Sequence, residues 1–377
     1  MASTFTILMD GTPADDDFYT GLSSLEVEEN LDLPSAIQLS LPVSSTGEGE
    51  LTFVSDGRLR PFANLAVEVT VEDKGDYCIF DGYVLSHKLH LQTGTTSSTL
   101  QVWGQDASWL MNLEEKTREW TDVTDASVAN NIFDAYDISP APQNTDDDTP
   151  SHTESGHTLM QRASDIQFLR GLARRSGKLC WVACADRHGE RIGYFTKPNL
   201  DGDPLVTLTL NDPDGAWTVQ SLDFDWDVTR PTVVAASQTL FNDNTPEGVS
   251  AGATDSGLDP LDERSLEEFS GKTMSVLLTS PGVDDGGELQ LRAQALLREA
   301  GWFMRCEGET DVARLNALLR AGMVVMVNAA GTLYSGKYFV WSVRHTISKD
   351  AHKMKFVLVR NAMGPAPAAA GGGLPAV

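Results

Sequence analysis

The chain has 377 residues, with 28 Lys and Arg against 54 Asp and Glu, a formal charge of −26, and 41% hydrophobic residues. That apolar share is ordinary for a globular chain and excludes wholesale disorder, and the length allows two or three domains with more than one core. The acidic balance excludes a surface built for nucleic acid or anionic membrane, which needs clustered Lys and Arg, and it favours solubility.

Residues 1–11 carry no basic start, long apolar run or small-residue cleavage site, so no secretory signal is expected. No stretch approaches the roughly 18 apolar residues of a membrane-spanning helix. Cys78, Cys180, Cys184 and Cys306 are sparse, form no evident framework, and fit folding in a reducing cytosol.

In chain order, the first hundred residues read as β. Segments 39–43, 66–71, 77–85 and 99–103 alternate with period two or are rich in β-branched residues. Turn clusters separate them at Gly47-Glu-Gly49, Asp56-Gly57 and Gly94-Thr-Thr. Short strands at this spacing suggest a small barrel or sandwich.

The period then changes. Val128, Ile132 and Phe133 recur at helical spacing over 125–136, with Asp125 as the expected N-cap. An acidic loop follows at 140–150, including Asp146-Asp147-Asp148. The clearest helix comes next. Ser164 and Gln167 make a capping-box pattern, Ile166, Leu169, Leu172 and Ala173 an apolar face, and Arg174, Arg175 and Gly177 a stop. Segments 179–185 and 191–195 read as a hairpin around His188-Gly189. Strands are expected at 206–210, 218–226 and 232–236, then a polar Gly-rich stretch at 241–271 and a helix at 287–301. Strands return at 323–327, 337–345 and 353–359, before a Gly-Ala-Pro tail.

Several motifs carry potential chemistry. Gly331-Thr-Leu-Tyr-Ser-Gly336-Lys337 matches most of a phosphate-binding loop. Tyr338 stands where Ser or Thr would hold magnesium, and a strand follows where a helix is required, so a hairpin turn is expected. Asp223, Asp225 and Asp227 alternate with Phe224 and Trp226, which gives a strand one acidic and one aromatic face. A calcium loop would need Gly where Val228 stands and Glu where Ala235 stands. Cys180 and Cys184, four apart in a strand, lie roughly 13 Å apart, too far to share one zinc ion, and read as packed thiols. His152 and His157 bracket a polar loop and read as solvated. No catalytic, cofactor-binding or metal-binding residue is assigned, and no cofactor is expected.

Three segments, in order, resemble the hub family of contractile tails, which includes the phage late control protein D group and the N-terminal hub module of type VI secretion VgrG spike proteins. Leu100-Gln-Val-Trp-Gly-Gln-Asp-Ala-Ser-Trp-Leu110 resembles the strand and turn that close the family's first barrel. Gln161-Arg-Ala-Ser-Asp-Ile-Gln-Phe-Leu-Arg-Gly-Leu-Ala-Arg-Arg-Ser-Gly-Lys-Leu-Cys-Trp181 is similar to its hallmark helix and following strand. Gly322-Met-Val-Val-Met-Val327 through Tyr334-Ser-Gly-Lys-Tyr-Phe-Val-Trp-Ser-Val-Arg-His345 resembles its last hairpin, closed by 353–361.

The resemblance implies a mixed, mainly β (α+β) fold with two tube-like small β-barrels, an α/β domain between them and an insertion. The expected division is 1–110 for the first barrel and 111–203 for the α/β domain. Segments 204–240 and 310–363 would form a split second barrel, 241–309 an insertion with a helix, and 364–377 a flexible tail. The implied role is a non-enzymatic, homotrimeric, pseudo-sixfold hub inside a virion or injection particle. Its implied partners are a separate spike protein, the tail-tube protein and baseplate wedge proteins, without specific nucleic-acid or membrane binding. Two other readings are a tail-type peptidoglycan hydrolase, which needs carboxylates paired across a cleft, and a carbohydrate- or receptor-binding tip. The second would use aromatics near the insertion, where Phe241 and Phe269 stand.

Overall fold

Alternation decides the strands of the first region. In Ser24–Asn30 the side chains of Leu25, Val27 and Glu29 are buried between half-exposed neighbours. In Ala36–Pro42 the same holds for Ile37, Leu39 and Leu41. A period of two puts such residues on one face, which sheet packing then covers. The computed structural model describes residues 3–46, 48–55, 57–93, 98–145, 150–154, 158–211, 217–239, 248–279, 283 and 286–365. The turn residues Gly47, Asp56 and Gly94, the Asp146-Asp147-Asp148 run, His157, Phe241 and nearly all of the tail lie outside them.

A sheet of thirteen strands runs through both ends of the chain. Its order from one edge is Ser221–Trp226, Met304–Asp311, His352–Arg360, Gly336–Ile347, Ser24–Asn30, Ala36–Pro42, Thr99–Asp106, Gly75–His90, Asn64–Val71, Ser3–Met9 and Thr12–Pro13. Val324–Asn328 pairs antiparallel with Gly336–Ile347 and parallel with Val206–Thr209. The two strand groups expected as separate barrels are therefore joined in one sheet, and no pairing among the described residues closes either into a barrel.

The join lies within Gly336–Ile347. Residues 336–339 pair with Val324–Asn328, and residues 342–347 pair with Ser24–Asn30. Against His352–Arg360 the register slips between Val340 and Ser342, leaving Trp341 over. Such a bulge bends a strand, and here it accompanies a change of neighbour. One apolar cluster spans both groups, from Val27, Leu39 and Val67 to Val325, Val343 and Phe356.

Between the groups lies a helical region. The helices Asp125–Asp134 and Asp165–Arg175 bury Val128, Ile132, Phe133, Leu169 and Leu172 against Val182 and Phe195 of the hairpin Leu179–Cys184/Arg191–Thr196. Gly193 sits under the Phe133 ring, which a Cβ would meet at 2.5 Å. Two expected caps differ. Thr124, not Asp125, caps the first helix, accepting from the Ser127 N–H at 3.1 Å. Ser164 precedes the second helix without a side-chain cap, because its hydroxyl donates to Asn112 Oδ1 at 2.6 Å.

One expected strand sits elsewhere, and one strand was not expected. The strand expected at 232–236 runs Val233–Thr239 and pairs with Gly248–Ala253 and Ser275–Leu278 in a separate three-stranded sheet. The helix Gly286–Ala300 covers that sheet through Ala293 and Leu297. Met304–Asp311, unread in the sequence, is an interior strand of the large sheet, paired on both sides.

Candidate functional site

Gly331–Tyr334 forms one short helical turn, and the strand Gly336–Ile347 then begins at once. Lys337 Nζ donates to the Gly202 carbonyl at 3.1 Å. Without a helix after Lys337 there is no row of amide N–H groups for a phosphate, and the segment is a hairpin connection. Asp223 and Asp225 are exposed on Ser221–Trp226, while Phe224 packs on Tyr334 with ring centroids 4.8 Å apart. Asp227 lies beyond the strand and accepts from the Thr229 N–H at 2.9 Å. Among the described residues, no group of three or more His, Cys, Asp or Glu is placed to hold a metal.

Two readings are corrected by burial. His152 is not solvated: it is 5% exposed, with Nε2 2.7 Å from Asp125 Oδ1. Asp125 is fully buried, and Arg175 and the Ser176 hydroxyl complete its shell at 3.0 Å each. Burial pushes the Asp125 carboxyl up, and the His152, Arg175 and Ser176 contacts outweigh it to hold the group below the usual carboxylate range. Cys184 is not a packed thiol but is bonded to Cys78, with Cα atoms 5.6 Å apart. Cys180 and Cys306 are free and buried, and burial pushes both thiols up to about 12, which makes them unreactive.

That disulfide belongs to a joint between the hairpin and the first strand group. The Asp81 side chain, fully buried, accepts from Arg191 Nη2 at 2.9 Å, Arg191 Nε at 3.0 Å and the Gly189 N–H at 2.9 Å. Burial pushes the Asp81 carboxyl up, but the Arg191 hydrogen bonds and charge hold it below its usual range. At the hairpin tip the His188 N–H donates to Glu68 Oε1 at 2.9 Å, and its Nε2 lies 2.7 Å from Asn64 Oδ1.

A second joint follows the seam where Ser24–Asn30 meets Gly336–Ile347. Glu29, 7% exposed, accepts from Arg320 Nε at 2.5 Å and from the Ala321 N–H at 3.1 Å. Burial outweighs the Arg320 charge here and holds the Glu29 carboxyl above the usual range. Arg320 Nη2 also donates to the Cys184 carbonyl at 3.1 Å. Next along the seam, His345 Nδ1 and His352 Nε2 lie 3.1 Å apart, both buried. Burial lowers His345 well below its ordinary value and His352 to about 4.

One edge of the large sheet, the strand Ser221–Trp226, is the candidate contact surface. Ser221–Trp226 pairs with Met304–Asp311 on one side, and no described strand covers the other. Asp223 and Asp225 are exposed there, and Trp226 is 46% exposed. An uncovered edge offers N–H and C=O groups to a neighbouring strand, while outward carboxylates limit indiscriminate pairing.

The whole chain shares its fold with tail proteins. The 43 kDa tail protein of prophage MuSo2 from Shewanella oneidensis is 13% identical, with a TM-score of 0.65 over 96% of this chain and 99% of that one. The tail protein from Neisseria meningitidis MC58 is 13% identical, with a TM-score of 0.64 over 96% and 97%. An E. coli component of the type VI secretion system, itself similar to the T4 bacteriophage tail proteins gp27 and gp5, is 13% identical, with a TM-score of 0.54 over 96% and 79%. Identities this low carry the fold alone, and that fold agrees with the resemblance read from the three sequence segments. No curated protein matches the sequence. Residues 1–349 match the family of the Alg8 N-terminal domain, and the chain belongs to that family.

Proposed function

We propose that the chain is a structural hub of a phage-like tail or contractile injection baseplate, joining a sixfold tube to a threefold spike. The observation that carries this reading is the fold, which is common to tail proteins from end to end and includes both strand groups and everything between them. In this reading the chain is a homotrimer. Two similar strand groups in each of three copies supply the six modules that a sixfold tube can meet, while the threefold axis meets the spike. The edge strand Ser221–Trp226 adds to a neighbouring copy's sheet, and a separate spike chain, the tube protein and wedge proteins complete the contacts. The work is done by interfaces inside a particle, with no cofactor and no bond-breaking step.

The test is the solution mass of the purified chain by light scattering, alone and with its spike protein. A trimer, or a monomer that becomes a trimer when the spike is added, supports the hub. A monomer indifferent to the spike across micromolar concentrations overturns it.

A further inference from the structure

A cavity of about 470 Å³ opens between the helix Asp165–Arg175, the helix Gly286–Ala300 and the bulge at Trp341. That volume suits a small organic group. Its walls combine Trp302, Trp341 and Leu33 with Arg170, Arg174, Lys178 and Arg298, against the two carboxylates Asp32 and Glu299. Three guanidinium groups at one cavity are unexpected in a chain of charge −26.

Arg298 is 4% exposed. Its Nε donates to the Ser256 carbonyl at 3.0 Å, and its Nη1 to the Ser176 and Gly177 carbonyls at 3.0 and 3.2 Å. Carbonyls fix the group in place but do not neutralise it. Among the described residues no carboxylate forms an ion pair with Arg298, and the Asp255 charge acts on it from outside contact distance. Burial accordingly lowers its pKa to about 10. The Arg170 Nε is also buried without a partner. Arg174 has a counterion in contact, Asp32 at 3.5 Å, while the Asp255 and Asp106 charges reach Arg298 and Arg170 only from farther away. Four basic residues against two carboxylates leave the lining positive, a buried charge with no carboxylate in contact is costly, and a guanidinium fork fits a carboxylate in two-pronged fashion. The indole and leucine walls call for an apolar body beside that carboxylate.

We propose that this cavity binds an apolar ligand bearing one carboxylate, which Arg170 and Arg298 hold against Trp302 and Trp341. A free aromatic or aliphatic acid has this chemistry, and so does an acidic residue beside an aromatic one in a partner's peptide. The site is independent of trimer formation.

Calorimetric titration of the full chain with indole-3-acetate, neutral indole-3-acetamide and the acetylated, amidated dipeptide Trp-Asp tests it. A carboxylate should bind with a dissociation constant of about 1 mM or tighter, and at least about tenfold tighter than the neutral amide. Tighter binding of the acid identifies a free ligand, and tighter binding of the dipeptide identifies a partner segment. Arg170→Gln, at a half-exposed side chain, should weaken the carboxylate about tenfold without changing oligomeric state, and Arg298→Lys should do the same. If Arg298→Lys fails to fold, Arg170→Gln decides. Equal affinity for acid and amide, unchanged affinity in Arg170→Gln, or no binding of either carboxylate up to about 10 mM overturns the proposal.

Discussion

Ser24–Asn30 meets Gly336–Ile347 through six residue pairs of backbone ladder. The hairpin Leu179–Cys184/Arg191–Thr196 meets Gly75–His90 and Asn64–Val71 with no ladder among the described residues, through a disulfide, one buried ion pair and hydrogen bonds from its tip to Asp81, Glu68 and Asn64. A ladder is indifferent to most side chains, because its bonds are made by atoms every residue has. A side-chain joint depends on a few named residues and fails when one is removed. The seam and the hairpin dock should therefore break under different treatments.

The largest expected effect is at the dock. Arg191→Ala leaves the Asp81 carboxylate buried and unpaired, and should lower unfolding free energy by roughly 3–5 kcal/mol in urea titration. Reducing Cys78–Cys184, which closes a separation of 106 residues, should cost about 2–4 kcal/mol by the same measurement and expose the hairpin to protease first. The seam should be untouched by reductant but weakened by acid. The folded pKa values of His345 and His352 lie below 6.5, so their contribution is complete above about pH 6.5 and is lost as pH falls. Stability should drop by about 2 kcal/mol between pH 6.5 and pH 5, and His352→Gln should flatten that slope. The dock responds later, because the Asp81 carboxyl lies below 3.8 and its contribution fades only under more acid conditions. The smallest effect is Arg344→Ala on the seam's outer face. Its pair with Glu28 is half in solvent, and thermal melts should show a loss of about 0.5 kcal/mol.

What the sequence reveals follows how local each determinant is. The helix Asp165–Arg175 is legible because Ile166, Leu169, Leu172 and Ala173 lie within three turns of one another. Its expected capping box is absent because Asn112, a distant residue, takes the Ser164 hydroxyl. Met304–Asp311 escapes notice because its inward positions include Gly308, where the Phe356 ring fills the space that a side chain would occupy. His152 reads as a loop residue until Asp125, 27 positions away, is seen to need it. The Cys78–Cys184 pairing has no local signal, and neither does the cavity, whose Arg170 and Arg298 come from separate helices.

Arg320 stands where the two joints meet. One guanidinium holds Glu29 in the seam and the Cys184 carbonyl beside the disulfide. A pull on the hairpin therefore reaches the seam strands directly, through this side chain and the packing of Leu179 and Trp181 on Leu31 and Phe339, without passing through the helices. So short a path makes strain applied to the middle of the chain common to both ends before it is shared with the helices.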